Sequence, residues 1–403
     1  MILMNQNPNN IEYVWRCDEN VLKGNCLVPF STEAVSFLSE LSQSLMDNPL
    51  SKQYPDVLTF AFWCRKANLK VMEACMDESP RIGWGTAFHI APSNVPVNFA
   101  YSLAVSLLSG NSNIVRVPSK RFPQVDIICA EMRNLLENTS HQSISDMTIL
   151  IRYEHDREIT AHFSSICDVR LIWGGDNTIQ TIRQCPIPAK SFEITFADRY
   201  SFCIINADAF STAIPEKLAA RFYNDTYVID QNACSSPHLV IWVGEKPAIE
   251  YGKKVFWEAL QNIARIKYEL EPSAAISKYL NFCRNAIEFD GIHNSTRVDN
   301  FVFRVQIDKL GANMEDLRGN SGYFLEYETH NLNEAAQIVN RKYQTLTYHG
   351  FTKDQLKQFV ILNRLSGIDR IVPIGSALEF SSIWDGRDLI RTLSRVIDIR
   401  GKE

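Results

Sequence analysis

Short apolar runs alternate along the chain with longer stretches in which apolar residues recur every three or four positions. The short runs predict buried strands and the longer stretches predict helices. The predicted strands are residues 85–91, 113–117, 169–173, 200–208, 237–244 and part of 363–375. The predicted helices are residues 31–46, 56–76, 92–110, 123–137, 174–185, 215–228, 246–270 and the first part of 384–400, which ends in a last strand. This alternation predicts an α/β protein built on parallel sheets, with a nucleotide site at the carboxyl ends of the strands.

No linker marks the domains, because the chain has no internal repeat, low-complexity tract or flexible connector. With 403 residues, it is long enough for two or three domains. We place the crossings between sheets near residues 205 and 367. The predicted domains are therefore residues 1–205 together with 368–403, and residues 206–367.

The composition is that of an ordinary globular protein, with 45% hydrophobic and 22% charged residues. Lysine and arginine number 41 against 46 acidic residues, and the absence of a basic stripe argues against a nucleic-acid partner. The opening MILMNQNPNN is too short for a signal-peptide core, and no apolar stretch approaches the length of a membrane span. We therefore expect a cytoplasmic protein with no membrane span.

The ten cysteines include no C-x-x-C pair, and no histidine or cysteine spacing is typical of a metal site, so we expect reduced thiols and no metal. Cys234 is distinguished by its neighbours, since it follows Asp230, Gln231 and Asn232 and precedes a predicted strand. Local N–H groups there could stabilise a thiolate, the form in which cysteine is a nucleophile. From spacing alone, a nucleophile and a small packing residue both remain open.

The turn after residues 85–91 reads Ala-Pro-Ser-Asn-Val-Pro, so that two prolines flank Asn94. Prolines fix the backbone on both sides, and a rigid turn can hold an amide N–H at a set point, as an oxyanion donor requires. Residue preference favours the alternative, in which Asn94 caps the helix that follows.

Two glycine turns are candidates for a phosphate site. The Ser-Gly-Asn turn at residues 109–111 follows a helix rather than a strand, and the dinucleotide fingerprint G-x-G-x-x-G occurs nowhere in the chain. Gly174 and Gly175 follow a strand and open a helix, where N–H groups and the helix dipole can hold an anion. Such turns are also common plain connectors, so the motif alone leaves the nucleotide site open.

Taken in order, these segments resemble the aldehyde dehydrogenase superfamily, and within it the LuxC-type acyl-CoA reductases, the fatty acid reductases of bacterial luminescence systems. The matching segments are HIAPSNVP, LSGNSNIVRVPSK, LIWGGDNTI, FADRYSFCII, NDTYVIDQNACSSP, KYQTLTYHG and GIDRIVPIGSALEFSSIWDG. The combination of DQNACSSP with RIVPIG and WDG is the most specific part. The resemblance implies an aldehyde-dehydrogenase-like fold of two parallel-sheet, Rossmann-like domains with a cleft between them and a small oligomerisation element.

The resemblance also assigns roles to the two domains. It makes residues 1–205 with 368–403 the NAD(P)-binding domain, which includes the oligomerisation element. Residues 206–367 become the catalytic domain, with Cys234 as the nucleophile. Asn94 and the Cys234 backbone N–H would then form the oxyanion hole.

For the cofactor, the resemblance places Arg116 where aldehyde dehydrogenases carry a lysine that contacts the adenosine ribose. Ser119 and Lys120 follow closely and could contact a 2′-phosphate. Gly174 and Gly175 match the turn that meets the pyrophosphate, and the family fold binds its dinucleotide without a G-x-G-x-x-G loop.

Two glutamates of oxidising aldehyde dehydrogenases have no clear counterpart. The position of the glutamate that activates water corresponds to Ile194, Thr195 and Phe196, and Glu193 is nearby but out of register. The one that binds the nicotinamide ribose falls near Gln344 and Thr345. Without a base for water, an acyl-enzyme would resist hydrolysis, as a reductase requires.

The implied activity is NAD(P)H-dependent reduction of an acyl-CoA, foremost a fatty acyl-CoA, to an aldehyde through an acyl-cysteine. NADPH is the expected reductant and NADH the alternative. Two further alternatives stay open: another activated acyl group, such as an acyl phosphate or one handed over by a partner acyl-protein synthetase, and a non-catalytic acyl-carrying subunit. The resemblance also implies a homo-oligomer.

Overall fold

The fold is that of a computed structural model, which describes residues 11–22, 26–92, 95–212 and 214–401. The chain forms two compact units. The first runs up to Ala197 and resumes at Phe380, and the second is Asp198–Glu379. The sequence-based boundaries lie at residues 205 and 367, so residues 198–205 and 368–379 belong to the second unit although the prediction assigned them to the first domain.

The first unit alternates strands and helices up to Ala197. Its strands are β1 (Glu12–Trp15), β2 (Arg81–Gly83), β3 (Thr86–Ile90), β4 (Ser112–Arg116), β5 (Thr148–Arg152), β6 (Val169–Trp173) and β7 (Phe192–Phe196). Its helices are α1 (Thr32–Asp47), α2 (Pro55–Trp63), α3 (Lys66–Glu73), α4 (Asn98–Leu108), α5 (Pro123–Leu136), α6 (Gln142–Asp146), α7 (Arg157–Ile166) and α8 (Asp176–Arg183).

The second unit follows the same alternation. Its strands are β8 (Tyr200–Asn206), β9 (Pro237–Val243), β10 (Ile292–Arg297), β11 (Phe303–Ile307), β12 (Tyr323–Thr329), β13 (Tyr343–His349) and β14 (Arg370–Pro373). Its helices are α9 (Pro215–Thr226), α10 (Lys246–Lys267), α11 (Pro272–Glu288) and α12 (Lys353–Asn363). The chain then returns to the first unit with β15 (Ile383–Trp384), β16 (Arg387–Asp388), α13 (Leu389–Thr392) and β17 (Ser394–Val396).

The main sheet of the first unit has the strand order β1-β5-β4-β3-β6-β7, and only the β1–β5 pair is antiparallel among its described strands. Every residue of β3, β4, β5 and β6 is buried, as is typical of a parallel sheet covered on both faces. From β3 the chain moves outward to β4 and β5, and then returns to β6 and β7 on the other side of β3. The order therefore reverses between β3 and β6, and ligands of open α/β sheets bind beyond the carboxyl ends of the strands at such a point.

The sheet of the second unit has the order β10-β11-β12-β9-β8-β13-β14, with β10–β11 as its one antiparallel pair among the described strands. The register places Ser201 of β8 opposite Pro237 of β9. It also places Thr345 of β13 opposite Arg370 of β14. The segment that precedes β9 therefore lies at the amino edge of this sheet, near the starts of β8, β13 and β14.

The helix predicted over residues 56–76 is wrong, because two helices occupy this range. Helix α2 ends at Trp63, and Arg65 is extended, with φ −59° and ψ 138°. The Asn68 side chain donates to the Trp63 carbonyl at 2.8 Å, which satisfies an acceptor at the end of α2. A continuous apolar pattern hides this break, since buried apolar residues lie on both sides of it, such as Phe60 in α2 and Leu69 in α3.

The amphipathic helix predicted in the first part of residues 384–400 is present only as the short α13, and the last strand predicted after it is β17. Strands β15 and β16 form a two-residue hairpin in which Asp385 and Gly386 have φ angles of 48° and 69°. Asp-Gly is a preferred pair for this type of turn because both central residues need a positive φ. Helix α13 is a single turn of four residues that begins after its cap, Asp388.

Within the ranges that the structure describes, no helix combines the length and apolar character needed to cross a membrane. In the same ranges, no group of three or more His, Cys, Asp or Glu side chains is arranged to hold a metal ion.

Candidate active site

Cys234 lies in the connection between α9 and β9, residues 227–236, which we call the Cys234 loop. Asp230 and Gln231 in this loop have φ angles of 53° and 62°, in the left-handed region that few non-glycine residues occupy. The Gln231 N–H donates to the Thr226 carbonyl at 2.6 Å. A backbone of this kind persists where surrounding contacts fix it, and it is frequent at functional sites.

The Gln231 side chain supplies several of these contacts. It is 1% exposed, and its Nε2 donates to the carbonyl oxygens of Pro237 at 2.9 Å and Tyr323 at 3.1 Å. Its Oε1 accepts from the Gly322 N–H at 3.0 Å. One buried amide therefore joins the Cys234 loop to the start of β12.

Asp230 and Asn232 hold another side of the loop. The Tyr268 hydroxyl donates to Asp230 Oδ1 at 2.6 Å, and Asn320 Nδ2 donates to Asn232 Oδ1 at 2.7 Å. The Ser321 N–H donates to the Asp230 carbonyl at 3.1 Å. The polar cluster beside Cys234 thus fixes the backbone of the loop, a role that the sequence analysis did not foresee.

Cys234 also differs from most of the other cysteines in its burial. All ten cysteines are free of disulfides. Five of them are buried: Cys64, Cys129, Cys167, Cys185 and Cys203. Burial raises the pKa of the Cys64 thiol well above its usual value and the pKa of Cys129 and Cys167 to about 12, which keeps these thiols protonated and unreactive at neutral pH. Cys234 is half-buried and so remains partly accessible.

Ser201, at the start of β8, connects Cys234 to a neighbouring strand. Its buried hydroxyl donates to the Cys234 carbonyl at 2.7 Å and accepts from the Thr345 N–H at 3.0 Å. Gln344 directly precedes Thr345 and is 2% exposed, and its carbonyl accepts from the Asp369 N–H at 2.9 Å. The structure therefore brings Cys234 and Gln344 to the same edge of the second sheet.

Arg370 lies at this edge and holds a second loop, residues 374–379. Its Nη1 donates to the Ala377 carbonyl at 2.9 Å, and its Nη2 donates to the carbonyls of Ser376 at 2.7 Å and Glu379 at 2.6 Å. Burial lowers the pKa of the Arg370 guanidinium, and the nearby ionisable side chains of Glu379, Asp225 and Cys234 oppose this decrease. Arg370 is therefore a positive charge within electrostatic reach of Cys234.

Asp225, in the last turn of α9, binds the N–H groups of the 374–379 loop, whereas Arg370 binds its carbonyls. Its Oδ2 accepts from the Gly375 N–H at 2.6 Å and its Oδ1 accepts from the Ala377 N–H at 2.9 Å. The Ser236 hydroxyl donates to the Asp225 carbonyl at 2.8 Å. Burial raises the pKa of the Asp225 carboxyl to about 7, against the opposing effect of these N–H donors. Asp225 thus links the 374–379 loop with the end of the Cys234 loop.

His238 is four residues beyond Cys234, and its contacts are those of a packing residue rather than of an acid or base for the thiol. It is buried, its Nδ1 donates to the Gly319 carbonyl at 2.9 Å, and its ring stacks on Tyr200 with centroids 5.6 Å apart. Burial lowers the pKa of His238 to about 4, so the imidazole is neutral at physiological pH.

In the first unit, Arg116 ends β4 and makes hydrogen bonds to backbone carbonyls. Its Nε and Nη2 donate to the Tyr153 carbonyl at 3.3 and 3.2 Å, and its Nη2 also donates to the Glu154 carbonyl at 3.4 Å. The guanidinium carbon lies 4.6 Å from the centre of the Tyr153 ring. Arg116 therefore fixes the segment after β5 beside the carboxyl end of β4.

Ser119 and Lys120 follow Arg116 in the chain, beyond the end of β4. Ser119 is half-buried and Lys120 is exposed, with its Nζ 5.0 Å from the centre of the Phe122 ring. An exposed lysine beyond the end of a parallel strand has the charge and freedom to meet an anion.

Gly174 and Gly175 connect β6 to α8, beside the point where the strand order reverses. Gly175 immediately precedes the eight-residue α8, and a Cβ built on it would meet no atom within 4 Å. Gly174 is more restricted, because its N–H donates to the Phe196 carbonyl at 3.2 Å. The open space at Gly175 and the N-terminus of α8 fit an anionic group such as a pyrophosphate.

Asn94 lies outside the described residues. The helix that follows it is α4, which begins at Asn98 with Val97 in the cap position and no side-chain cap bond. The alternative in which Asn94 caps this helix therefore has no support from the position of the helix start.

The sequence matches the family model described as Acyl-CoA reductase (LuxC) over residues 29–396. The chain belongs to the LuxC acyl-CoA reductase family. No curated protein sequence matches it.

Solved structures with the same fold are aldehyde dehydrogenases of low sequence identity. A NAD-dependent benzaldehyde dehydrogenase from Corynebacterium glutamicum is 14% identical with a TM-score of 0.63, covering 91% of this chain and 85% of its own. Aldehyde dehydrogenase 21 from Physcomitrella patens, in complex with succinate, is 15% identical with a TM-score of 0.61, covering 91% and 86%. Lactaldehyde dehydrogenase from Escherichia coli is 13% identical with a TM-score of 0.60, covering 85% and 78%. The LuxC-family chain therefore has the aldehyde-dehydrogenase-like α/β fold, and it is an oxidoreductase of the acyl and aldehyde class.

In this LuxC-family chain, Glu193 is the acid nearest to the slot of the water-activating glutamate. Its Oε2 accepts from Arg170 Nε at 2.9 Å and Nη2 at 2.6 Å, and its Oε1 accepts from Arg183 Nε at 2.7 Å. Arg170 is only 3% exposed. Both carboxylate oxygens are therefore engaged by arginines, which is the arrangement of a structural ion pair rather than of a base.

Proposed function

We propose that the protein reduces an acyl-CoA thioester, foremost a fatty acyl-CoA, to an aldehyde with NADPH or NADH, through an acyl group carried on Cys234. The observation that carries the proposal is a half-buried cysteine on a firmly held loop in a chain of the LuxC acyl-CoA reductase family. The other half-reaction of an oxidising enzyme, hydrolysis of the acyl-enzyme, would need a base that Glu193 does not supply.

In the proposed reaction, the Cys234 sulfur attacks the thioester carbon, the bond between that carbon and the CoA sulfur breaks, and CoA leaves as its thiolate. The Cys234 N–H and Asn94 are the proposed donors to the oxyanion. NADPH or NADH, when bound, supplies the hydride. The carbon–sulfur bond to Cys234 then breaks, the aldehyde leaves, and the thiolate of Cys234 is restored.

We propose six residues that would hold the dinucleotide. They are Arg116, Ser119, Lys120, Gly174, Gly175 and Gln344. The open space at Gly175 supports contact with the pyrophosphate. The exposed ammonium of Lys120 supports NADPH over NADH, because the 2′-phosphate adds an anion for it to bind.

The test is Cys234→Ala, assayed by NADPH and NADH oxidation with a panel of acyl-CoA chain lengths and by detection of the aldehyde. Loss of the nucleophile should lower kcat by about 10³-fold or more. Cys283→Ala is the matched control, since Cys283 is also half-buried but lies on α11, and it should keep wild-type turnover. Wild-type turnover by Cys234→Ala would exclude an acyl-cysteine intermediate on Cys234.

The same preparations separate the alternatives. Activity with acyl phosphates and none with acyl-CoA would change the substrate class. An acyl group on Cys234 in mass spectra, without oxidation of NADPH or NADH, would identify an acyl-carrying subunit that works beside an acyl-protein synthetase. We also propose that the protein is cytoplasmic and that it forms a homo-oligomer. Sedimentation analysis would check the oligomeric state.

A further inference from the structure

The two peptide planes that flank Cys234 are both held by hydrogen bonds. The Ser236 N–H donates to the Ala233 carbonyl at 3.0 Å, which fixes the plane that also contains the Cys234 N–H. The Ser201 hydroxyl fixes the next plane through the Cys234 carbonyl, at 2.7 Å. Because each plane is rigid, holding both sets φ and ψ of Cys234 and leaves the thiol only its χ1 rotation.

Ser201 sits between two irregularities of the sheet. On one side, Ser201 and Phe202 pair with Pro237 and Leu239, so that His238 is an extra residue on β9. On the other side, the pairing of β8 with β13 jumps from Tyr343 to Leu346. Extra residues of this kind leave backbone groups without a ladder partner, and they are frequent beside active sites.

The Ser201 hydroxyl serves backbone groups at both irregularities. It accepts from the Thr345 N–H, which the jump in register takes out of the ladder, and it donates to the Cys234 carbonyl on the opposite side. A buried hydroxyl can do both because it has one donor and two acceptor positions. An apolar side chain at this position would remove the hydrogen bonds that Ser201 makes to the Thr345 N–H and to the Cys234 carbonyl.

We infer that Ser201 is a positioning residue for the nucleophile, which couples the backbone of Cys234 to the segment that carries Gln344. This inference rests on the proposed function, because it assigns Ser201 a role in how Cys234 meets its acyl group. Ser201 touches neither substrate nor cofactor in this role. It acts by keeping the direction of the Cys234 thiol constant.

The test begins with Ser201→Ala, compared with Ser42→Ala as a matched control. Ser42 is an equally buried serine of the first unit whose hydroxyl donates to the Ala61 carbonyl at 2.6 Å. Ser201→Ala loses two buried hydrogen bonds and Ser42→Ala loses one, so both variants should lose thermal stability, with the larger loss in Ser201→Ala. Only Ser201→Ala should lower kcat, by about 10- to 100-fold, with KM for the acyl-CoA within twofold of the wild type, because misplacement of a reacting group lowers the rate of the chemical step.

Two further variants keep the test decisive if Ser201→Ala folds poorly. Ser201→Thr retains the hydroxyl and should restore kcat, whereas Ser201→Cys retains the size with a weak donor and should give an intermediate kcat. Equal kcat in all folded variants, or an equal loss in Ser42→Ala, would overturn the positioning role.

Hydrogen–deuterium exchange of residues 227–237 provides a readout that does not need the reaction. Ser201→Ala should accelerate exchange in this segment, while Ser42→Ala leaves it unchanged. If the wild-type chain reduces no acyl-CoA, or Cys234→Ala stays active, the proposed function fails. The exchange measurement then tests by itself whether Ser201 holds the backbone of Cys234. Unchanged exchange in Ser201→Ala then overturns the inference.

Discussion

A polar side chain beside a cysteine has two meanings in a sequence, because the same group can face a substrate or hold the backbone. Around Cys234, Gln231 holds the backbone through three hydrogen bonds of its buried amide. Sequence reasoning selected Cys234 from the order of distant segments, and it missed Ser201 altogether. The available signal was weak: Ser201 is a small polar residue within the otherwise apolar stretch Tyr200–Ile205.

Glu193 provides a prediction at the scale of one residue. Glu193→Gln should lower the free energy of unfolding by up to about 3–5 kcal/mol, because it leaves the buried Arg170 without its anion. Turnover per folded molecule should stay at the wild-type value, since the carboxylate is an ion-pair partner. Chemical denaturation and steady-state kinetics on the same samples measure the two effects.

Arg183→Gln is the control for Glu193→Gln. Arg183 is 56% exposed, so its removal should cost less than about 1 kcal/mol. A loss of aldehyde-forming activity in Glu193→Gln at unchanged stability would contradict the structural role. It would indicate that Glu193 takes part in the reaction.

At the scale of elements, predictability follows burial. The prediction of a strand at residues 169–173 is confirmed to the residue by β6, whose five residues are all buried and all but Arg170 apolar. The helix predicted from Ser31 is confirmed by α1, where the Ser31 hydroxyl accepts from the Ala34 N–H. The edge strand β10 escaped prediction because its sequence, IHNSTR, is mostly polar and exposed.

The loops escaped prediction for a different reason, since their partners are distant in sequence. Asp225 meets Gly375 and Ala377 across about 150 residues. A buried carboxylate with two backbone donors is indistinguishable, in the sequence, from a solvated acid near the end of a helix. Only the fold shows that Asp225 belongs to the same edge as Cys234.

Asp225→Ala tests this link between elements. The change leaves two N–H groups of the 374–379 loop without acceptors, so it should lower the free energy of unfolding by about 2–4 kcal/mol. Exchange of the Gly375 and Ala377 amides should become faster. Thermal unfolding and hydrogen exchange by mass spectrometry measure the two effects.

Glu216→Ala is the control for Asp225→Ala, because Glu216 is an exposed acid on the same helix, α9. Its replacement should change stability by no more than about 0.5 kcal/mol. Equal effects of the two substitutions would show that the 374–379 loop does not depend on Asp225.

At the scale of the whole chain, both sheets are parallel at their centres and carry an antiparallel strand at one edge. The alternation of apolar strands and helices made the parallel centres predictable. The unit boundaries were harder to predict, because the sequences of β8 and β14 do not show which sheet they join. Strand pairing assigns both to the second unit, since β8 pairs with β9 and β13, and β14 pairs with β13.

Each unit also buries a neutral histidine, which predicts sensitivity to acid. In the first unit, His89 bonds to Ser102 Oγ at 2.8 Å and to Asn113 Oδ1 at 3.0 Å, and burial lowers its pKa to about 4. His238 has the same low pKa in the second unit for the same reason. In the unfolded chain the pKa of a histidine is about 6.5, so the unfolded chain binds protons more readily than the folded one. Acid therefore favours unfolding.

The stability that these histidines provide should therefore be complete above about pH 6.5 and should be lost as the pH falls towards 4. Between pH 7 and 5 the loss should be about 2 kcal/mol for each histidine. His238→Asn keeps a donor near the Gly319 carbonyl but cannot titrate, so it should remove about half of this acid sensitivity. His155→Asn, at an exposed position, should remove none. Urea unfolding at pH 7 and pH 5 measures the difference, and an equal pH dependence in His238→Asn and the wild type would show that His238 does not stay neutral in the folded chain.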